Sequence, residues 1–263
     1  KSFFTIFIET HFFTLTTHSM EQSRKKFLKH LFIGSASVPF IMQSCKKEVS
    51  GDDDNGSGSG SGTCTVAPTE TAGPFPTITP SSLVRADIRD DRTGVGFSIT
   101  ITVKNTNNNC AVLAGAIVDI WHCDKDGYYS EYGGTSMQTV DYTGVHFLRG
   151  RQVTDANGQV KFTWIFPGWY QSRATHIHVH IYTASGTSLL ITQIAFPEGS
   201  SSAVATVNSS AGTAYGYTKG MSGYTYNASD NVFSDDTAGA QLAAVSGSVA
   251  AGYALTHTIN VAS

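Results

Sequence analysis

Residues 165–178 read IFPGWYQSRATHIH, which sets Tyr170, Arg173, His176 and His178 close together behind a Pro167-Gly168 turn. The following residues, HIHVHIY from His176 to Tyr182, alternate polar and apolar. As a strand they would carry His176, His178 and His180 on one face and Ile177, Val179 and Ile181 on the other. Residues two apart project the same way, so His176 and His178 can reach one ion. Imidazoles suit zinc, copper or iron, whereas an added phenolate is a hard anion that favours a trivalent metal. A tyrosine titrates near ~10, so Tyr170 would bind as phenolate only where the metal drives off its proton, as a ferric ion does. Taken alone, an HxH pair is equally well a pair of solvated or hydrogen-bonded strand histidines.

A second tyrosine is available in residues 114–132, AGAIVDIWHCDKDGYYSEY. An apolar strand carrying Asp119 and Trp121 runs into a loop of Asp124, Lys125, Asp126 and Gly127, which delivers Tyr128 and Tyr129. Loops on a rigid sheet are where functional side chains collect. This stretch by itself reads as packing aromatics at a strand end.

The elements that must hold these side chains are strands. Phe97, Ile99, Ile101 and Val103 alternate with Ser98, Thr100 and Thr102, which predicts a half-buried strand. Further strands are expected over 112–122, broken at Gly115, and over 160–166, 176–182, 189–196 and 253–261. No amphipathic helix of useful length is visible. The expected fold is all-β, a sandwich of two packed, mainly antiparallel sheets with long loops. Residues 63–80, rich in Pro, Thr and Gly, read as an irregular arm over the fold, and the Gly- and Tyr-rich segment 211–226 as a pocket wall or a surface loop. His122, His146 and His257 read as core or surface histidines.

Residues 1–62 have a different composition. Lys1 is not an initiator, and Met20 is the candidate start, which makes 1–19 an expected non-native extension. Residues 20–45 pair a basic patch with an apolar stretch, 31–42, too short to span a bilayer, and end at Cys45. They look like a lipoprotein signal, with SRKKFLK similar to a twin-arginine motif carrying lysine in the second position. Residues 46–62 are acidic and then Gly/Ser-rich, a flexible tether. The expectation is an exported protein anchored in a bacterial cell envelope, periplasmic or at the surface, by a lipidated Cys45, with a working domain over 63–263. That domain holds Cys64, Cys110 and Cys123, enough for one disulfide and an odd thiol, with the pairing open. The 263 residues carry 17 Lys and Arg against 20 Asp and Glu, a net charge of -3, so no basic excess argues for nucleic acid.

Taken together, PTETAGPF, GAIVDIWHCDKDGYYS, LRGRQVTDANGQVKF, PGWYQSRATHIH, TQIAF and DNVF resemble the intradiol ring-cleavage dioxygenases, ferric enzymes that open catechols between their two hydroxyl carbons. The resemblance covers nearly all of 63–263. It implies that Tyr129 and Tyr170 are tyrosinate ligands and His176 and His178 imidazole ligands of an Fe(III) completed by hydroxide. It further implies that Arg173 lies over the substrate, that Gln193 stands near it, and that Tyr170 and the hydroxide receive the diol protons before O2 opens the ring to a muconate-type diacid. Partners are then a small aromatic diol and O2. Arg173 could instead serve a structural ion pair with Asp155 or Glu131, and His180 would stand outside the ligand set. This chain has a shorter span from Tyr170 to His176 than better-known catechol dioxygenases and no long helical N-terminal domain. Trp164 occupies a position that is often threonine. The competing readings are an inactive tethered β-sandwich binding lipoprotein, or a zinc or copper HxH enzyme; a cupin-like motif would want a glutamate soon after the histidines, and 179–190 contain none. Neither the ring cleaved nor the oligomeric state follows from the sequence.

Overall fold

The computed structural model describes residues 64–263. The expectations for the extension, the signal with Cys45 and the tether lie outside the described residues. Among the described residues nine strands form two sheets: β1 (Gly96–Asn105), β2 (Ala111–Val112), β3 (Ile117–Trp121), β4 (Arg149–Val153), β5 (Gln159–Ile165), β6 (His176–Tyr182), β7 (Ser188–Ala195), β8 (Ala244–Ser248) and β9 (Gly252–Val261). Two short helices, α1 (Ala203–Val207) and α2 (Ser210–Thr213), lie in the long connection after β7.

One sheet runs β2-β1-β9-β8, with β5 also on β1; the other runs β4-β3-β6-β7 and is antiparallel throughout. In the first sheet β1 and β9 pair in parallel, Phe97 opposite Tyr253 and Val103 opposite Ile259. The alternation seen in the sequence is the alternation of burial. Phe97, Ile99, Ile101 and Val103 are at most 2% exposed and point into the sandwich, each contributing about 1.5–3 kcal/mol by leaving water. Trp164, unexplained by the resemblance, is a core residue packed on Phe97 at a centroid distance of 5.2 Å.

The second sheet is covered on both faces. Val118, Ile120, Ile177, Val179 and Ile181 join the sandwich core. The opposite face packs a separate cluster of Phe75, Trp121, Cys123 and Tyr129, flanked by Ala72, Tyr132 and Tyr170. The cover is the arm, as expected: its backbone bonds β9 through Ala67 N–H to Asn260 O (2.9 Å) and β7 through Glu70 N–H to Ile191 O (2.8 Å). A disulfide joins Cys64 to Cys110 with Cα atoms 5.9 Å apart, and Cys123 is a buried free thiol.

The 211–226 segment packs as a wall behind residues 166–175. Tyr217 Oη donates to Phe166 O (2.7 Å), Trp169 Nε1 donates to Gly220 O (3.0 Å), and Thr175 N–H donates to Tyr224 Oη (3.0 Å).

Candidate metal centre

Register places the floor of the site. Arg149 of β4 lies opposite Trp121 of β3, Trp121 opposite His178 of β6, and His178 opposite Gln193 of β7. Cross-strand partners share a face, so these four side chains form one row across the covered face of the sheet. The Trp121 and His178 rings stack at 4.9 Å with their planes 1° apart. His176, two residues before His178, completes the imidazole pair.

Two loops bring the tyrosines to this floor. Asp124 shapes the first, its carboxylate accepting from the N–H groups of Asp126 (3.0 Å) and Tyr128 (2.9 Å). Tyr129 is fixed by Gln138, whose Oε1 accepts from Tyr129 N–H and whose Nε2 donates to Tyr129 O, both at 2.7 Å. The second loop touches the first at Gly168, whose N–H donates to Asp124 O (3.1 Å). A Cβ on Gly168 would stand 2.4 Å from that oxygen, so the glycine of the PGxY motif is what allows the two loops, and hence the two tyrosines, to meet. The Tyr129 and Tyr170 rings lie 5.8 Å apart, and Phe75 of the arm stacks on Tyr129 at 4.8 Å.

The donor atoms converge. Tyr129 Oη is 3.2 Å from His176 Nε2, which is 3.1 Å from His178 Nε2; the Tyr170 and His176 rings are 5.5 Å apart. Donors bound to one ion at about 2.0–2.2 Å stand roughly 3 Å from each other. The protonation pattern points the same way. His176 Nδ1–H donates to Ala174 O (2.6 Å), which leaves its Nε2 with the lone pair. Both Tyr129 Oη and His178 Nε2 crowd that one lone pair. If His178 carries its proton on Nε2, its buried Nδ1, which has no partner, is a stranded acceptor; if on Nδ1, two lone pairs face each other. A cation among the three atoms removes the conflict. Among the described residues no group of three or more His, Cys, Asp and Glu is placed to hold a metal; the donors that meet here are two imidazoles and two phenols, types that could hold a hard trivalent ion.

Burial, then the Arg173 charge, lowers the His176 pKa to about 3; burial, then His176, takes His178 well below its ordinary value. Both imidazoles are neutral near pH 7. Burial pushes the Tyr129 phenol well above its ordinary value, with Tyr170 adding to the rise, and burial raises Tyr170 against the opposing pull of Arg173. Phenolate therefore requires a bound cation.

Arg173 is 7% exposed and sits beside this cluster. Its partner is neither Asp155 nor Glu131 but Asp230: Nε donates to Asp230 Oδ2 (2.9 Å), and Nη2 donates to Gln193 Oε1 (2.6 Å). Asp155 instead caps its own turn through Asn157 and Gln159, and Glu131 faces His146 and Arg149. Gln193 Nε2 donates to Thr71 O of the arm (3.0 Å), so Gln193 ties Arg173 to the cover. Ser172 adopts φ 69 immediately before Arg173, a conformation costly for a non-glycine residue and common where side chains must be aimed.

Asp230 and Arg149 carry roles that sequence reasoning missed. Asp230 is 0% exposed and also accepts from Ala174 N–H (2.7 Å) and Val232 N–H (2.8 Å); its place in the DNVF motif was the available signal. Arg149, 0% exposed, donates to Ser130 Oγ and O, Phe75 O and Thr77 Oγ1 behind the Tyr129 ring. Burial brings its pKa down to about 10, opposed by Glu131. His180 lies outside the cluster, bonded to Ser188 Oγ and Tyr182 Oη at 2.8 Å each. His122 is buried with its pKa near 3 from burial, His146 meets Glu131, and His257 is half-buried on β9.

A family model described as Dioxygenase matches residues 73–214. The sequence is 31% identical over 128 residues to a chlorocatechol 1,2-dioxygenase of Rhodococcus opacus, a match covering 41% of this chain; the chain spans 46% of that relative's length. An intradiol ring-cleavage dioxygenase structure from Tetranychus urticae is similar at a TM-score of 0.64 and 28% identity, over 76% of this chain and 95% of that one. The dioxygenase domain of a dioxygenase carbohydrate-binding protein fusion from Streptomyces sp. SirexAA-E is similar at a TM-score of 0.52 and 25% identity, over 75% and 99% respectively.

Proposed function

Because the chain belongs to the intradiol ring-cleavage dioxygenase family, we propose that it is a ferric dioxygenase that opens a catechol-type ring between its two hydroxyl carbons, giving a muconate-type diacid. The observation that carries this reading is that Tyr129 Oη and His178 Nε2 both lie within 3.2 Å of His176 Nε2, with Tyr170 alongside.

Tyr129, Tyr170, His176 and His178 would hold the iron. A ferric ion held there would supply the Lewis acidity that binds an ortho-diol as its dianion and makes its ring reactive toward O2. The chain's own residues do the rest. Tyr170, half-buried where Tyr129 is wholly buried, is the more movable of the two phenols, and its Oη would take one diol proton. Arg173, held by Asp230 and Gln193, presents a fixed cation where negative charge grows, and such preorganised charge lowers a barrier strongly in a dry site. Phe75 and Trp121 keep water from the buried side. Gln171 and Ser172 are exposed, so the short span between Tyr170 and His176 is the side from which a diol would approach.

The test is the visible spectrum of the full chain after ferric loading. A tyrosinate-to-iron charge-transfer band is expected, weakened in Tyr170→Phe and shifted by added catechol. A colourless protein that retains zinc, or takes up no metal, would overturn the reading. Residues 20–45 and the tether further support an exported, lipid-anchored form of this enzyme, which radiolabelled fatty acid incorporation, lost in Cys45→Ser, would test.

A further inference from the structure

Tyr129 and Tyr170 offer the same donor atom in different surroundings, and the difference traces to Arg149. Arg149 is 0% exposed and stands opposite Trp121 in the row that carries His178, so its root is fixed against the floor of the site. Its guanidinium reaches two separate segments. On one side Nε donates to Ser130 Oγ (2.8 Å) and Nη2 to Ser130 O (2.6 Å), both on the residue that follows Tyr129. On the other, Nη1 donates to Phe75 O (3.0 Å) and Thr77 Oγ1 (3.1 Å) of the arm. Phe75 is the ring stacked on Tyr129 at 4.8 Å, so one planar fork joins the residue beside Tyr129 to the residue on top of it. The seam continues along the arm: Ile78 N–H donates to Glu131 Oε2 (2.7 Å), itself 3.5 Å from Arg149 Nε, and Tyr132 Oη donates to Pro76 O (2.6 Å). Gln138 also grips Tyr129 but rides on the same loop, whereas Arg149 ties that loop to the sheet. Tyr170 is half-buried and meets Phe75 edge-on at 6.4 Å.

We propose, on the basis of the dioxygenase reading above, that Arg149 is the positioning residue that keeps Tyr129 on the metal while Tyr170 gives way to the diol. A fork rooted in the sheet sets the Tyr129 ring against the imidazoles of β6, and its hold on Phe75 closes the space into which that ring would swing. The role belongs to the fork rather than to the charge. Lysine carries the same charge, but its three donors sit on one nitrogen and cannot serve acceptors on both segments. Buried carbonyls left without their donor destabilise the arrangement that buries them, so loop and arm would part.

The experiment uses the ferric-loaded full chain, with Tyr170 intact and in a Tyr170→Phe background where the tyrosinate signal left is that of Tyr129. Resonance Raman excited in the charge-transfer band separates tyrosinate from catecholate ring modes, and chelator competition gives the ferric affinity. With Arg149 in place, the Tyr129 modes are expected to persist when catechol is added. Arg149→Lys should lower ferric affinity about 10- to 100-fold and lose most of the Tyr129 modes on catechol addition. Ser130→Ala, which removes one acceptor of the fork, should do the same to a smaller degree, and it carries the test if urea denaturation of the metal-free protein shows that the lysine variant does not fold. Tyr129 modes that survive catechol at full strength in the folded variants would overturn the proposal, even where affinity has fallen, because that is the mark of a structural role alone. A parent chain with no charge-transfer band would sink the dioxygenase reading and this proposal together; a parent band that the Arg149 and Ser130 variants leave unmoved would sink this proposal alone.

Discussion

Asp230→Asn tests a buried charged contact that joins the C-terminal segment to the site. Asp230 Oδ2 accepts from Arg173 Nε and Ala174 N–H, and Oδ1 from Val232 N–H. Asparagine keeps the shape, removes the charge opposite Arg173, and points an amide NH2 at a donor whichever way it turns. Losing one hydrogen bond to a charged group costs about 1.5–3 kcal/mol, and breaking a buried ion pair about 3–5 kcal/mol. The expected loss at pH 7 is therefore about 3 kcal/mol, read by urea denaturation of the metal-free protein. Burial raises the Asp230 pKa, but the bonds from Arg173, Ala174 and Val232 outweigh it and hold the pKa below its ordinary value. A depressed carboxyl stabilises the fold above its unfolded pKa and loses that contribution as pH falls through the folded pKa. The gap between wild type and variant should thus be full at pH 6–7 and shrink only below about pH 4. A loss under about 1 kcal/mol, or a gap that stays constant into acid, would refute the assignment of Asp230 as the charged anchor of Arg173.

Two other perturbations test the cover. The Cys64–Cys110 disulfide closes a loop with a sequence separation of 46, for which the loop-entropy relation gives about 4 kcal/mol; Cys64→Ser with Cys110→Ser should lower the unfolding free energy by up to that amount, and an unchanged urea midpoint would show that the bond constrains nothing. Gly73 holds φ +72, and a Cβ there would stand 2.8 Å from His178 Cε1, so Gly73→Ala must displace the imidazole or the arm. Ferric affinity in a chelator competition should fall about 10- to 100-fold, and an unchanged affinity would mean that the arm does not set the His178 ring.

The strands carrying the site were legible because burial wrote itself into the sequence at the strand period. β1, β5, β6, β7 and β9 fall within a residue or two of their expected bounds, and the expected break at Gly115 separates β2 from β3. β4 was not legible, since two of its alternating positions are Arg149 and Arg151, arginines that lie on the covered face and are paired there rather than solvated. β8, mostly exposed at the edge of its sheet, carries no apolar stripe to read. The disulfide was likewise undecidable from three cysteines, because Cys123 is removed from contention only by its burial beneath Tyr129.

By itself the sequence determined the candidate donor types and the local geometry that strand and turn periods impose: two imidazoles two residues apart, a tyrosine past each of two glycine-bearing turns, and an arginine just before the histidines. Tertiary structure decided everything that depends on residues distant in the chain. It set Arg149, Trp121, His178 and Gln193 in one row, laid Phe75 over Tyr129, and gave Arg173 to Asp230, 57 residues away. The physical reason is that an alternating pattern records which side of a strand is buried, whereas the partner of a buried charge is chosen by sheet register and loop packing, and neither leaves a local mark in the chain.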